Sequence, residues 1–117
     1  MQARQHMCEI LIEAGIDTVF GIPGGGVSPV FDAIHDHRDK IRFILTRHEQ
    51  AASIMADVYG RLTGKPGVVL GQGVFIGSSG GFGIMESFMS SSPMIALTDT
   101  SEAGVFGQHS AYQGGTG

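Results

Sequence analysis

The sequence has little of three things that mark particular classes of protein: cysteine, basic residues and long apolar runs. Its single cysteine, Cys8, cannot form an internal disulfide, which favours a reducing compartment and a cytoplasmic location. Only seven residues are Lys or Arg, the net charge is −4, and the sequence has no run of basic residues. A nucleic-acid partner is therefore not expected. No stretch reaches the ~18 consecutive apolar residues of a membrane-spanning helix, so no membrane partner is expected.

Glycine is the residue that the chain has in excess. The 117 residues include 19 glycines, about twice the usual share of roughly 7%. They concentrate in residues 24–26, 71–83 and 104–117, which indicates specialised loops rather than general flexibility. The length allows one domain.

One stretch, residues 41–62, places an acid where parallel α/β sheets bind ligands. Residues 41–45 have the apolar, partly β-branched composition of a short buried strand, and residues 48–62 have helical spacing that Gly64 ends. Glu49 therefore follows a strand and begins a helix. In open parallel sheets, ligands bind at the carboxyl ends of the strands.

Short apolar strands alternate with helices along the chain, which predicts a three-layer α/β fold with a mostly parallel sheet covered on both faces. Ser28 is expected to cap a helix with Pro29 at its first position. The predicted helices cover residues 3–14, 28–35, 48–62 and 82–89, and the strands residues 18–22, 41–45, 68–70 and 94–97. Right-handed crossovers would place the loops that follow the strands at one edge, around a common cleft.

Three motifs resemble a known family. They are Gly15–Gly25 (GIDTVFGIPGG), Arg47–Ala52 (RHEQAA) and Ala56–Arg61 (ADVYGR), in order and at similar spacing over about residues 10–70. Together they resemble the N-terminal, pyrimidine-binding domain of thiamine diphosphate enzymes, in the branch of acetolactate synthase and benzoylformate decarboxylase. The resemblance implies the thiamine diphosphate-binding fold and identifies residues 1–117 as such a domain, incomplete at its C-terminus.

The resemblance also implies roles for individual residues. The glutamate that matches Glu49 hydrogen-bonds N1′ of the cofactor's aminopyrimidine, so Glu49 is the expected catalytic residue. The expected cofactor contacts are Pro23, Gly24, Gly25, Glu49 and Gly73. Gly26 and Gln113 are weaker candidates for substrate contacts, because Gly26 stands where some decarboxylases have serine and the acid that normally follows Gln113 is absent.

Several features of such enzymes would have to come from outside this chain. The family holds the cofactor's diphosphate through Mg²⁺ on a separate domain with a Gly-Asp-Gly segment, which this sequence lacks, so no metal ligand is expected here. The implied partners are that domain, in the same or another chain, and further copies in a dimer or tetramer. The implied activity is decarboxylation or ligation of 2-oxo acids, and the synthase branch also carries FAD elsewhere.

Simpler interpretations stay open beside this one. The domain could be a non-catalytic dimerisation or regulatory module, and a generic nucleotide-binding domain is a weaker third possibility because residues 71–77 are GxGxxxG rather than GxGxxG. Glu49 could merely stabilise a helix N-terminus, and residues 24–26 could be only a tight turn. Three methionines are expected to fill the core, namely Met85, Met89 and Met94.

Overall fold

A computed structural model describes residues 2–100 of the chain, and these form four strands and five helices. A 3₁₀ turn at Gly25–Val27 precedes the second helix. In chain order the elements are α1 (Ala3–Glu13), β1 (Thr18–Gly21), α2 (Ser28–Asp36), β2 (Arg42–Leu45), α3 (Glu49–Thr63), β3 (Gly67–Gly71), α4 (Gly73–Gly77), α5 (Gly81–Met89) and β4 (Met94–Thr98).

The four strands form one parallel sheet in the order β2-β1-β3-β4. Neighbouring residues of a strand face opposite sides, so Val19 and Phe20 of β1 belong to two different core clusters. The cluster with Val19 includes residues of α1 and α2, and the cluster with Phe20 includes residues of α3 and α4. The predicted three-layer α/β fold with a parallel sheet is therefore confirmed.

The two faces of the sheet are packed with side chains of different size. The face under α1 and α2 buries long aliphatic side chains such as Leu11, Ile34 and Leu70, together with Cys8. Burial raises the pKa of the Cys8 thiol. On the face under α3, the helix itself contributes the small side chains of Ala52 and Ala56, which pack with Phe20 and Val69 of the sheet, whereas Ser53 packs on Gly83 of α5. The backbones of α3 and β3 approach each other closely here. A Cβ on Gly67 would lie 1.8 Å from the Ala56 carbonyl oxygen, so only glycine fits at position 67.

Two expectations about buried residues are wrong. Strand β2 is not buried, because it is the edge of the sheet, and its Leu45 side chain is 60% exposed. Met85 and Met89 do not fill the core, since they are 58% and 74% exposed on α5. The helical face of α3 that carries Met55 and Leu62 is exposed too, because the small residues face the sheet instead.

Two local expectations also differ from the structure. Ser28 is the first residue of α2 rather than its N-cap, because the 3₁₀ turn runs directly into the helix and the Ser28 hydroxyl donates to the Gly25 carbonyl, at 3.1 Å. Residues 73–77 form the short helix α4, where only a glycine-rich loop was expected. Gly64 does end α3, in a left-handed conformation with φ of 70°.

Candidate functional site at the carboxyl edge of the sheet

The carboxyl ends of β1 and β3 lie side by side, so the chain segments that follow them meet at one edge of the sheet. Gly21 pairs with Leu70 in the strand register, and the Ile22 amide donates to the Leu70 carbonyl at 3.3 Å. Strand β4 lies on the other side of β3 and ends at Thr98, beside Gly71. The segments Pro23–Gly26, Gly71–Gly73 and Asp99 therefore share this edge.

Glu49 is the first residue of α3 and lies beside the second of these segments. Its side chain is half-buried, and its Cγ lies 3.8 Å from the position that a Cβ on Gly71 would take. No hydrogen bond or ion pair within residues 2–100 involves its carboxylate. The carboxylate is thus held at the sheet edge and is available to a ligand.

Local hydrogen bonds fix the start of α3. The side chain of His48 caps the helix, since its Nδ1 accepts from the Gln50 amide at 3.2 Å. The Thr46 amide donates to the Gly21 carbonyl at 3.0 Å and ties the segment to β1. From this start α3 crosses the sheet and packs on β1 and β3, which brings Glu49 from the edge strand toward the middle of the sheet.

The three predicted glycines of the first loop differ in what surrounds them. A Cβ on Gly24 would meet nothing within 4 Å, so the extended backbone here faces open space. A Cβ on Gly25 would lie 2.7 Å from Nε2 of Gln72, and one on Gly26 would lie 2.9 Å from Oδ2 of Asp99. Packing within the chain thus explains Gly25 and Gly26 as turn residues, whereas it leaves Gly24 free to approach a ligand.

Asp99 joins two of the glycine segments, and sequence reasoning gave it no role at this edge. Its Oδ2 accepts from the Gly26 amide at 2.7 Å, and its Oδ1 accepts from the Gly73 amide at 2.6 Å. The signal that could have found it is its position directly after the fourth strand, on the edge that carries Glu49. Gly73, a predicted cofactor contact, is therefore in direct contact with Asp99.

Two further residues predicted from the sequence are Pro23 and Gln113. Gln113 lies outside the described residues. Pro23 lines a cavity of about 530 Å³ between α2 and β2, whose walls include Phe31 and Phe43 but not Glu49. Within residues 2–100 no group of three His, Cys, Asp or Glu side chains is placed to hold a metal ion. None of the helices in this range is both long and apolar enough to span a bilayer.

Carboxylates at the opposite, amino edge are fully engaged. Asp17 accepts from the Tyr59 hydroxyl at 2.5 Å and from the Thr18 hydroxyl at 2.8 Å, and it pairs with Lys65 at 3.3 Å. The hydrogen bond from Tyr59, followed by that from Thr18, lowers the pKa of Asp17 to about 2.

A second engaged carboxylate, Asp57, joins α3 to the segment before β4. Its side chain is 3% exposed, accepts a hydrogen bond from Ser92 and pairs with Arg61 at 2.8 Å. Burial would raise the pKa of Asp57, but the hydrogen bonds from Arg61 and Ser92 outweigh burial and lower it. Arg61 also pairs with Glu86 of α5, at 2.9 Å.

A parallel three-layer α/β domain with an acid and glycine segments at its carboxyl edge defines a class of ligand-binding domain. Within that class, the chain belongs to the family described as thiamine pyrophosphate enzyme, N-terminal TPP binding domain, which matches residues 1–115. The resemblance that the three motifs carry is thereby confirmed.

Acetolactate synthases are among its relatives. The chain is 44% identical over 89 residues to acetolactate synthase of Bacillus subtilis (strain 168), covering 76% of the chain and 15% of the relative. It is 41% identical over 98 residues to a probable acetolactate synthase large subunit of Methanococcus aeolicus, covering 84% and 16%. It is 55% identical over 62 residues to the mitochondrial acetolactate synthase catalytic subunit of Saccharomyces cerevisiae (strain ATCC 204508 / S288c), covering 53% and 9%. The matched region is thus less than a fifth of each of these relatives.

Proposed function

We propose that this chain is the pyrimidine-binding part of a thiamine diphosphate-dependent enzyme that decarboxylates or ligates 2-oxo acids, as acetolactate synthases do. One observation carries the proposal: the half-buried Glu49 carboxylate has no partner within residues 2–100 and lies beside Gly71 at the sheet's ligand-binding edge. An acid that served only folding would be expected to have a partner, as Asp17 and Asp57 do.

The residues present fit the aminopyrimidine half of the cofactor. A Cβ on Gly24 would meet nothing within 4 Å, so a flat ring can approach the partly buried Gly24 backbone closely from that side. Glu49 would hold and exchange a proton at a ring nitrogen, and Pro23, Gly25 and Gly73 would line the ring. When bound, thiamine diphosphate supplies the reactive carbon that adds to the carbonyl of a 2-oxo acid.

The position of Glu49 at the start of α3 also suits a carboxylate. The carboxylate lies at a helix N-terminus, where the dipole of the helix stabilises a negative charge. It lies beside Gly71 and has no cationic partner within residues 2–100, so a bound base can hydrogen-bond to it. Gly26 and Gln113 are proposed to contact the substrate, with Gly26 facing Asp99 within the chain.

The rest of the enzyme would supply the remaining groups. We propose that a diphosphate-binding domain, in the same or another chain, holds Mg²⁺ and the diphosphate, that FAD binds elsewhere if the enzyme follows the synthase branch, and that the protein is a cytoplasmic dimer or tetramer. Exposed apolar side chains on the outer faces of α3 and α5 support an assembly role: Leu62 is 82% exposed and Phe88 is 81% exposed.

A nuclear magnetic resonance titration of the chain with thiamine diphosphate tests this function directly. Amide signals of Glu49, Gly24 and Gly73 are expected to shift together on addition of the cofactor, while those of Asp17 at the opposite edge stay unchanged. Calorimetry in the presence of Mg²⁺ is expected to show that thiamine diphosphate binds much more tightly to a mixture of the chain and a diphosphate-binding domain than to the chain alone. Shifts confined to the cavity between α2 and β2, or equal shifts with NAD, would contradict the proposal.

A further inference from the structure

We propose that Asp99 is a positioning residue that holds the Pro23–Gly26 loop and the Gly71–Gly73 segment at the spacing that the cofactor's ring needs. The link to the cofactor rests on the proposed function, whereas the contacts of Asp99 with the two segments are seen in the structure itself. Asp99 has one oxygen 2.7 Å from the Gly26 amide nitrogen and the other 2.6 Å from the Gly73 amide nitrogen. Both hydrogen bonds run from a main-chain amide to a carboxylate oxygen.

The two glycines and the aspartate fit one another sterically. A Cβ on Gly26 would lie 2.9 Å from Oδ2 of Asp99, and a Cβ on Gly73 would lie 2.4 Å from the Asp99 carbonyl oxygen. A larger residue at position 26 would have to move the Asp99 carboxylate, and one at position 73 would have to move the Asp99 main chain. The absence of side chains at Gly26 and Gly73 therefore makes room for Asp99, whereas the absence of a side chain at Gly24 leaves space for a ligand.

Few other bonds set the distance between the two segments. Between residues 22–26 and 70–73 the backbone contributes the bond from the Ile22 amide to the Leu70 carbonyl, at the base of both segments. Beyond that base, the side chain of Gln72 lies against Gly25, and the Asp99 carboxylate bonds to both segments. Glu49 lies against Gly71, so a shift of this segment would also change the surroundings of the catalytic acid.

Hydrogen exchange of individual amides in the 117-residue chain tests the positioning role without any cofactor. Asp99→Ala removes both acceptors, so the Gly26 and Gly73 amides are expected to exchange at least ~10-fold faster. Asp99→Asn keeps the shape but has one acceptor oxygen, so one of the two amides is expected to exchange faster and the other to stay protected. General loosening of the domain would instead accelerate amides of β1 and β3 as well.

Cofactor binding then tests the purpose. Thiamine diphosphate is expected to bind ~10-fold more weakly to Asp99→Ala at a temperature where both proteins are folded. Charge alone predicts the opposite, since removing a negative charge favours an anionic ligand. Asp39→Asn, at an exposed position away from the glycine segments, is the matched charge control and is expected to bind at least as tightly as the unmodified chain.

The outcomes separate the two proposals. Unchanged exchange of both glycine amides in Asp99→Ala overturns the positioning role, as does unchanged cofactor binding in that variant. If Asp99→Ala does not fold, the one-sided pattern in Asp99→Asn decides. If the unmodified chain takes up no thiamine diphosphate even with a diphosphate-binding domain, the proposed function fails, while the exchange pattern still decides whether Asp99 holds the two segments.

Discussion

The two edges of the sheet treat their carboxylates in opposite ways. At the amino edge, Asp17 and Asp57 are surrounded by hydroxyl and cationic partners, and both have lowered pKa values. At the carboxyl edge, within the described residues, the Asp99 carboxylate accepts hydrogen bonds from glycine amides only and the Glu49 carboxylate has no partner. The amino edge thus contributes to stability, and the carboxyl edge keeps an acid available for a ligand. Substitutions at the two edges are therefore expected to separate activity from stability.

The largest effect is expected for Glu49→Gln. In the enzyme of which this chain is proposed to be a part, turnover should fall at least ~100-fold, because an amide cannot exchange the proton that the carboxylate shares. The free energy of unfolding of the chain should change by less than about 0.5 kcal/mol, since no partner within residues 2–100 is lost. Steady-state kinetics and urea denaturation measure the two quantities.

Glu13→Gln serves as the control for Glu49→Gln, because it removes the same charge from an exposed position at the end of α1. It should change neither quantity. Turnover of Glu49→Gln close to that of the unmodified enzyme would remove the catalytic role from Glu49 and the distinction between the two edges with it.

The next largest effect is expected for Asp57→Asn, in stability. The change removes a buried charge that pairs with Arg61, and breaking such a pair should lower the free energy of unfolding by about 2 kcal/mol. Glu86→Gln is the matched variant, because it removes the other, half-exposed partner of Arg61 and should cost about 0.5 kcal/mol or less. Equal effects in thermal and urea denaturation would show that burial does not distinguish the two partners.

A smaller effect is expected for Tyr59→Phe, which removes one hydrogen bond to Asp17 and should cost about 1 kcal/mol at pH 7. Asp17 has a pKa of about 2 in the folded chain, below its ordinary 3.8, so its contribution to stability is present above that ordinary value and is lost as the pH falls toward 2. In Tyr59→Phe the Asp17 pKa should rise toward 3.8, and the loss of stability in this acid range should become smaller. A nuclear magnetic resonance titration of the Asp17 carboxyl carbon measures this pKa. The same value in Tyr59→Phe and in the unmodified chain would contradict this account.

The smallest effect is expected for Lys65→Gln. The Lys65–Asp17 pair is about half exposed on both sides, so water and salt screen it. Its removal should lower the free energy of unfolding by about 0.3 kcal/mol at low salt and by less at high salt. A cost comparable to that of Tyr59→Phe would mean that charge, rather than the hydroxyl hydrogen bond, dominates at Asp17.

The sequence predicted the order of the four strands and of all helices except α4, the parallel sheet and the acid at the start of α3. These follow from local patterns: apolar strands of four or five residues, helical spacing, and Gly64 as a helix end. It did not predict which apolar residues are buried. Met85 and Leu62 have core-like side chains, but α3 faces the sheet with the small residues Ala52 and Ala56, and α5 packs on α3 through Gly83. Periodicity locates a stripe of apolar residues without telling which face meets the sheet.

Sequence alone thus determined the fold class, the family and the position of Glu49, because each rests on residues close together in the chain. The tertiary structure alone decided that Asp99 lies on the Gly26 and Gly73 amides, since these hydrogen bonds join residues 73 and 26 positions apart. It also decided that Gly25 and Gly26 of the first loop are needed for packing while Gly24 faces open space, because only the folded chain brings the neighbours of each glycine together.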